Sequence, residues 1–258
     1  MKIEIFLQAA KEAALIGGQV LKENFRKIES RNIHEKAEKD VVSYVDKASE
    51  ERITDYLFRR FPQHKIIGEE SGGTDEGEFV WYIDPLDGTK NYITGFPIFG
   101  VSVSLLHMGK PLVGAVYVPL FDDLYWAGKR IGAYKNKNSI RVGTTTKSGY
   151  SVIAYGFASK PKRDIEVYLH IYKEILTKVA AIRNPGAAAV ELCFLAEGVF
   201  EGLVEFEVEP WDINAGILIL QEAGGIYSVL EHNEKRDIIA SNGRLQKLLE
   251  KIVFQYIK

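Results

Sequence analysis

The sequence predicts a layered α+β fold, and three of its features carry that prediction. Apolar residues recur at helical spacing near the beginning of the chain, over residues 3–25, and again near its end. Between residues 99 and 136, apolar and polar residues alternate and turns interrupt them, as is typical of a meander of strands. Long meanders mixed with helices favour stacked layers over a doubly wound parallel sheet.

The elements of the first half follow from these spacings. Two helices, over residues 3–25 and 41–61, flank a charged loop at 27–39, and Pro62 ends the second helix. A short strand begins at residues 66–67 and runs into an acidic, glycine-bearing loop, and a further strand covers residues 79–83. The meander turns near residues 109–110 and 121–123.

A Thr-, Ser- and Gly-rich stretch at residues 143–149 predicts a junction between an N-terminal half, residues 1–145, and a C-terminal half, residues 146–258. Pro210 opens one helix of the second half and Gly224-Gly225 closes it. The elements predicted for this half are strands at 151–157, 180–182, 199–208, 226–230 and 238–240 and helices at 163–177, within 184–198, at 210–225 and at 244–256.

Composition and charge exclude several classes of protein. Lys and Arg number 33 against 35 Asp and Glu, a balance that gives no general reason to expect a nucleic acid or an anionic membrane as partner. The single cysteine, Cys193, forms no intrachain disulfide and no zinc cluster, so we expect a buried thiol and a cytoplasmic setting. The charged N-terminal helix is unlike a signal peptide, and no apolar run is long enough to span a membrane.

Acidic residues stand at the ends of four predicted elements. Carboxylates without neighbouring His or Cys suit hard cations, Mg²⁺ before zinc. Backbone N–H groups at a predicted helix start suit a phosphate, and the two features together indicate metal-assisted phosphate hydrolysis. The acidic residues are Asp46, Glu69 and Glu70, Asp84 and Asp87 in DPLDGT, and Asp212 in PWDINAG; the helix start is Gly88-Thr89.

Each of these groups taken alone has an ordinary structural explanation. Asp-Pro and Asp-Gly are common turn formers, and Asp212 is suited to stabilising the first turn of its own helix. Asp46 and the pair Glu69-Glu70 would otherwise be solvated surface residues. Only the combination, in this order along the chain, favours the catalytic interpretation.

The same motifs resemble those of the inositol monophosphatase family, within the fructose-bisphosphatase-like, lithium-sensitive phosphatase superfamily. The matching segments are GEES (68–71), DPLDGTKNY (84–92) and PWDINAG (210–216), with VVSYVDKASE (41–50) and PGAAAVELC (185–193) in support. The resemblance implies an αβαβα sandwich, a homodimer, two or three Mg²⁺ per active site, and hydrolysis of sugar or polyol phosphates, myo-inositol monophosphates first.

The resemblance also implies a role for each site residue. Glu69, Asp84 and the Leu86 carbonyl would hold the first Mg²⁺, with Glu70 beside it, and Asp84, Asp87 and Asp212 would hold the second. Thr89, paired with Asp46, would orient the attacking water, and Glu69 shares in catalysis through the metal. Backbone N–H groups of Gly88 and Thr89 would bind the phosphate. The substrate hydroxyls would meet Asp87, Gly186, Ala187, Ala188 and Glu205.

The predicted substrate contacts depart from the family pattern at Ala187, where members that prefer inositol often carry Thr. Strand alternation predicts Glu207 and Glu209 on the same face as Glu205. Lys90 is expected at the mouth of the site, with a solvated helix residue as the equal alternative, and Trp211 is expected to pack and fix the start of its helix. Candidates for binding a second phosphate are the basic residues Lys160, Lys162, Arg163 and Arg183, for which a solvated basic face is the alternative.

Several functions therefore stay open. A fructose-1,6-bisphosphatase or dual-activity enzyme is the first alternative, and a 3′-phosphonucleotide phosphatase is weaker because no aromatic platform for a base is evident. A binding partner of RNA-synthesis machinery, as some bacterial relatives are, is an alternative of a different class. Apolar residues at 98–125 would supply a dimer interface or, alternatively, belong to the core.

Overall fold

Helices and sheets alternate in five layers. The computed structural model describes residues 3–27, 33–37, 40–157, 165–232 and 235–257. Helices α1 (Ile3–Asn24) and α2 (Tyr44–Arg60) form the first layer and pack on a seven-stranded sheet. Beyond that sheet lie α5 (Ala188–Ala196) and α6 (Pro210–Glu222), then a five-stranded sheet, and then α4 (Ile165–Leu176) and α7 (Gln246–Tyr256). The αβαβα sandwich is confirmed.

The seven-stranded sheet contains the predicted meander. Its first two strands are parallel, its remaining pairs are antiparallel, and its turns at 108–109 and 119–122 lie where the sequence places them. In spatial order the strands are β3 (Lys65–Gly68), β4 (Phe79–Asp87), β5 (Gly100–His107), β6 (Lys110–Val118), β7 (Asp123–Gly128), β8 (Gly132–Lys135) and β9 (Asn138–Ser139).

The five-stranded sheet is mixed. Strand β10 (Val152–Phe157) pairs in parallel with β11 (Ala181–Arg183) on one side and with β12 (Gly202–Val208) on the other. Strand β14 (Lys235–Ser241) then pairs antiparallel with β12 and with β13 (Ile226–His232). Because α5 and α6 contact strands of both sheets, the middle layer joins the two predicted halves, and the division at residue 145 stays a prediction.

Two predictions near the N-terminus are wrong in part. The predicted loop at 27–39 contains strand β1 (Ile33–Ala37), which pairs with β2 (Asp40–Ser43) as an antiparallel hairpin. The second helix therefore begins at Tyr44 and not at Val41. Val41 and Val42 are β-branched, and such side chains favour extended backbone over helix.

The apolar residues at 98–125 belong mainly to the core. Val101, Val103 and Leu105 are fully buried between α1 and the sheet, as are most apolar neighbours in this range. The large apolar side chains exposed in this range are Met108, Leu120 and Phe121. The predicted dimer contact through this range would rest on those three.

The burial of the single cysteine agrees with the expectation from the sequence. Cys193 lies in the central core with no exposed surface and is a free thiol. Within the described segments, no helix combines the length and the apolar character that crossing a bilayer requires.

Candidate active site

A cleft of about 230 Å³ opens where the ends of several elements meet. The four carboxylates predicted to bind metal all line it, so residues that are far apart in sequence come together there. They are joined by the predicted phosphate-binding backbone and by one lysine at the mouth. The lining residues are Glu69, Asp84, Leu86, Asp87, Gly88, Thr89, Lys90, Gly186, Ala188 and Asp212.

Strand β4 is longer than the sequence predicts and includes two of these carboxylates, Asp84 and Asp87. The predicted strand ends at residue 83, but β4 continues to Asp87. Asp84 pairs with Ser102 and Asp87 with Gly100, so β4 advances three residues while β5 advances two. This bulge includes Pro85, which has no N–H to donate to a ladder and is tolerated at such a position. The bulge brings both aspartates to the cleft with 2% and 7% of their surface exposed.

Electrostatic repulsion accompanies this burial. Burial raises the pKa of Asp84 well above its ordinary value, and the charges of Glu69, Asp87 and Asp212 raise it further. Burial also raises the pKa of Asp87 to about 7, although the backbone N–H of Val190, 3.1 Å from its Oδ2, opposes the shift. A bound cation reverses both effects because it favours the charged carboxylates.

The donor set of the cleft fits a hard divalent cation, since its ligand atoms are carboxylate and carbonyl oxygens. In the described part of the chain, no three His, Cys, Asp or Glu side chains already surround a single point. The charges of Glu69, Asp87 and Asp212 act on Asp84, and a bound cation would offset that repulsion.

The hydroxyl of Thr89 lies between two acceptors. Helix α3 (Thr89–Thr94) begins directly after Gly88, whose φ of 85° is readily adopted by glycine. The Thr89 Oγ1 is 3.1 Å from Asp46 Oδ1 and 3.1 Å from the Leu86 carbonyl oxygen. Because a hydroxyl has one proton, it donates to one of these acceptors at a time and keeps its lone pairs for another donor. The predicted pairing of Thr89 with Asp46 is present.

Glu50 holds the segment that carries Glu69, a role that the sequence reading missed. Its carboxylate accepts the N–H of Glu70 at Oε2 and of Ser71 at Oε1, both at 2.8 Å. A Cβ at Gly68 would lie 2.3 Å from the Glu50 carboxyl carbon, so a larger residue there would displace that carboxyl. Its spacing in the sequence could have identified it, because Glu50 follows Asp46 by four residues and therefore shares the buried face of α2. Glu69 lines the cleft, and the backbone of Glu70 anchors its loop.

Helix α6 presents Asp212 from its first turn. The Asp212 Oδ2 accepts the backbone N–H of Glu209 at 2.8 Å, and the Glu209 side chain caps the helix in return. Trp211 packs, as predicted, against a small apolar cluster that includes Ile67 and Tyr82, and its carbonyl accepts the Ser102 hydroxyl at 3.1 Å. The helix-stabilising and the ligand interpretations of Asp212 are therefore compatible.

A second part of the cleft, of about 390 Å³, continues from the acidic part and shares Lys90, Gly186, Ala188 and Asp212 with it. Ala187 and Glu205 line this second part, where the sequence places substrate hydroxyls. Arg183 is exposed, and its guanidinium donates to the Ile182 carbonyl at 2.9 Å; the next residue, Asn184, reaches the cleft. The basic candidates Lys160, Lys162 and Arg163 lie outside the described residues.

The prediction that Glu205, Glu207 and Glu209 share one face is wrong. Glu205 pairs with Ile238 and Val208 with Arg236, so β12 contains a bulge at Phe206-Glu207. Glu207 has a φ of 59°, and its carboxyl accepts the hydroxyl of Tyr168 on the outer helix α4 at 2.7 Å. Period-two alternation ends at a bulge, and of the three acids Glu205 and Glu207 line the cleft.

Two polar side chains that the sequence reading missed shape the turn before α5. The Asn91 amide donates to the carbonyls of Ile98 and Pro185, each at 2.7 Å. The Glu191 Oε1 accepts the N–H of Gly186 at 2.8 Å and of Ala187 at 3.1 Å. Glu191 is the single acid within the apolar α5, and an acid in such a segment could have been identified from the sequence as a buried polar group with a specific role.

Comparison with known proteins agrees with this geometry. The model of the "Inositol monophosphatase family" matches residues 2–258. A "Fructose-1,6-bisphosphatase/inositol-1-monophosphatase" of Aquifex aeolicus is 52% identical over 98% of this chain and 97% of its own length. A "Putative Nus factor SuhB" of Neisseria meningitidis is 38% identical over 98% and 99% of the two chains. The structure of an inositol monophosphatase from Anabaena has a TM-score of 0.85 at 33% identity and covers 99% of this chain and 98% of that one.

Proposed function

The chain belongs to the inositol monophosphatase family, and from that premise we propose that it is a Mg²⁺-dependent phosphomonoesterase acting on polyol phosphates, myo-inositol monophosphates first. The observation that carries the proposal is the convergence of Glu69, Asp84, Asp87 and Asp212 on one cleft beside Gly88 and Thr89. Four carboxylates in one partly buried cleft are costly unless cations occupy it.

The proposed metal ligands follow from the lining of the cleft. Glu69, Asp84 and the Leu86 carbonyl would hold one Mg²⁺, and Asp84, Asp87 and Asp212 a second, with room for a third left open. Magnesium, when bound, lowers the pKa of water and offsets the charge that develops on the phosphate oxygens. The backbone N–H groups of Gly88 and Thr89 would hold the phosphate at the start of α3.

The Thr89–Asp46 pair supports water attack. If the Leu86 carbonyl is a ligand, the hydroxyl proton of Thr89 is directed to Asp46, which is almost fully buried at the start of α2. The lone pairs of the hydroxyl then accept a proton of the attacking water and fix its position. No histidine base is required on this account.

The neighbouring part of the cleft suits a hydroxyl-bearing leaving group. Glu205 provides a carboxyl there, and Gly186, Ala187 and Ala188 line the same part of the cleft. Ala187 offers no hydroxyl, so we propose that selection among polyols is loose. The name of the Aquifex relative, which combines fructose-bisphosphatase and inositol monophosphatase, supports dual activity as the alternative.

A phosphate-release panel tests the proposed function. With Mg²⁺ present, we expect release from myo-inositol 1-phosphate and fructose 1,6-bisphosphate and little from a 3′-phosphonucleotide. Release from the phosphonucleotide alone would reassign the substrate class, and no release from any ester would overturn the phosphatase proposal.

Arg183→Ala is expected to lower kcat/KM for fructose 1,6-bisphosphate about fivefold more than for inositol monophosphate, since only the bisphosphate has a second anion to pair with an arginine. The effect is modest because the arginine is exposed and its ion pairs are screened by water. Arg59→Ala, at an arginine of α2 whose side chain is 82% exposed, is the control. Equal losses on both substrates would remove Arg183 from this role.

Glu50→Gln is expected to raise the Mg²⁺ concentration needed for half-maximal activity about tenfold, as loss of a group that orients metal ligands typically does. The glutamine keeps one acceptor for two N–H groups, so one backbone N–H in the Glu69 loop loses its partner. A magnesium titration of activity measures this. Glu51→Gln, at the exposed next residue, is the matched control. An unchanged magnesium requirement with lowered thermal stability would limit Glu50 to folding.

A role as a binding partner is the second candidate, and the name "Putative Nus factor SuhB" of the Neisseria relative supports it. We propose that such a role would coexist with catalysis, because the acidic set is complete. Analytical ultracentrifugation with and without purified RNA polymerase tests it. A homodimer, which the same runs measure, stays a proposal based on family membership.

A further inference from the structure

Glu191 lies between two of the predicted substrate contacts, the turn at Gly186-Ala187 and the carboxyl of Glu205. Its Oε1 accepts the N–H groups of Gly186 and Ala187 in the turn before α5. Its Oε2 is buried, and no donor group within the described residues bonds to it. The carboxyl of Glu205 also lies within hydrogen-bonding reach of the Glu191 side chain.

Two carboxyl groups bond to each other only when one of them carries a proton, because ionised carboxylates accept and do not donate. Glu191 has no exposed surface, and Glu205 has 7%. Burial raises the pKa of both groups, and the charge of Glu191 raises the pKa of Glu205 further. Lys90 is the cation in the wall of the same part of the cleft. One shared proton gives the buried Oε2 a partner.

We propose that Glu191 is a positioning residue for the polyol: its carboxyl–carboxylate hydrogen bond fixes Glu205 against the Gly186–Ala187 turn, so that both meet the substrate hydroxyls as one rigid unit. The inference rests on the proposed phosphatase function. It also accounts for Gly156 on β10, where a Cβ would lie 2.1 Å from Glu205 Oε1 and displace the carboxyl.

The test compares Glu191→Met with Glu191→Gln on two esters in the presence of Mg²⁺. Myo-inositol 1-phosphate has hydroxyls for Glu205 to bind, whereas p-nitrophenyl phosphate has none. In Glu191→Met we expect KM for inositol phosphate to rise about tenfold, and its kcat/KM to fall at least about fivefold more than that for the aryl ester. Glu191→Gln should restore KM to within about twofold, because the amide accepts the two N–H groups and donates to Glu205.

Two further variants keep the test decisive. Glu222→Met removes a carboxylate that accepts the N–H groups of Arg130 and Gly132 away from the cleft, so it controls for the loss of a structural acid. Gly156→Ala displaces the Glu205 carboxyl while Glu191 and its turn stay intact, and it should raise KM for inositol phosphate selectively even if Glu191→Met fails to fold.

Three outcomes would overturn the inference: equal losses on both esters in Glu191→Met, a wild-type substrate preference in Gly156→Ala, or a Glu191→Gln protein as impaired as Glu191→Met. If the wild-type protein hydrolyses neither ester with Mg²⁺, the proposed function itself fails. Hydrolysis of the aryl ester by the wild-type protein therefore distinguishes failure of the Glu191 inference from failure of the proposed phosphatase function.

Discussion

Asp87→Asn is expected to lower kcat about a thousandfold at saturating Mg²⁺, since loss of one ligand charge removes several kcal/mol of transition-state stabilisation. The substitution keeps the shape of the side chain and an acceptor for the N–H of Val190. It removes the negative charge that the proposed second cation would need. Steady-state phosphate release from inositol phosphate measures the effect, and near wild-type turnover would contradict the two-cation assignment.

The same variant separates function from folding. Burial raises the pKa of Asp87 from 3.8 to about 7, so the folded protein binds a proton that the unfolded chain releases. The contribution of this group to stability is therefore present at low pH and lost as pH rises from about 4 to about 7. In chelator at pH 8, Asp87→Asn should be at least as thermally stable as the wild type. Asp123→Asn, which breaks an ion pair with Lys135 outside the cleft, should retain activity.

Thr89→Ala is expected to lower kcat about a hundredfold while KM changes less than about threefold. In the proposed mechanism the hydroxyl acts on the attacking water in the transition state, whereas the phosphate would be bound by backbone N–H groups that survive the substitution. Thr89→Ser keeps the hydroxyl and should recover most of the rate.

Thr94→Ala is the matched control for this substitution. The Thr94 hydroxyl bonds to carbonyls within the same short helix and is exposed, so its loss tests damage to α3 alone. A large rise in KM for Thr89→Ala with kcat intact would make Thr89 a substrate-binding residue instead.

Sequence patterns alone identified the acidic residues at the ends of predicted elements as candidates for the site. Asp84, Asp87 and Asp212 each follow or open an apolar segment, and such positions converge when the layers stack. The helical and alternating spacings likewise predict stacked layers of helices and sheets, whereas the αβαβα order of those layers came from the family resemblance. The spacings are local signals that depend on few tertiary contacts.

The remaining features depend on contacts between distant segments. Glu50 bonds to backbone about twenty residues further along, and no spacing rule predicts that partner. The bulge at Glu207 depends on how β12 pairs with β14, which redirects the acid toward Tyr168. The acid pair of Glu191 and Glu205 likewise arises only when α5 packs on β12.

The measurement that tests the central claim most directly is phosphate release from myo-inositol 1-phosphate by the wild-type protein, first stripped with chelator and then titrated with Mg²⁺. The four clustered carboxylates predict no turnover in chelator and full recovery as the cation returns, with Asp87→Asn failing to recover. Turnover that persists undiminished in chelator would contradict a cleft built to hold cations.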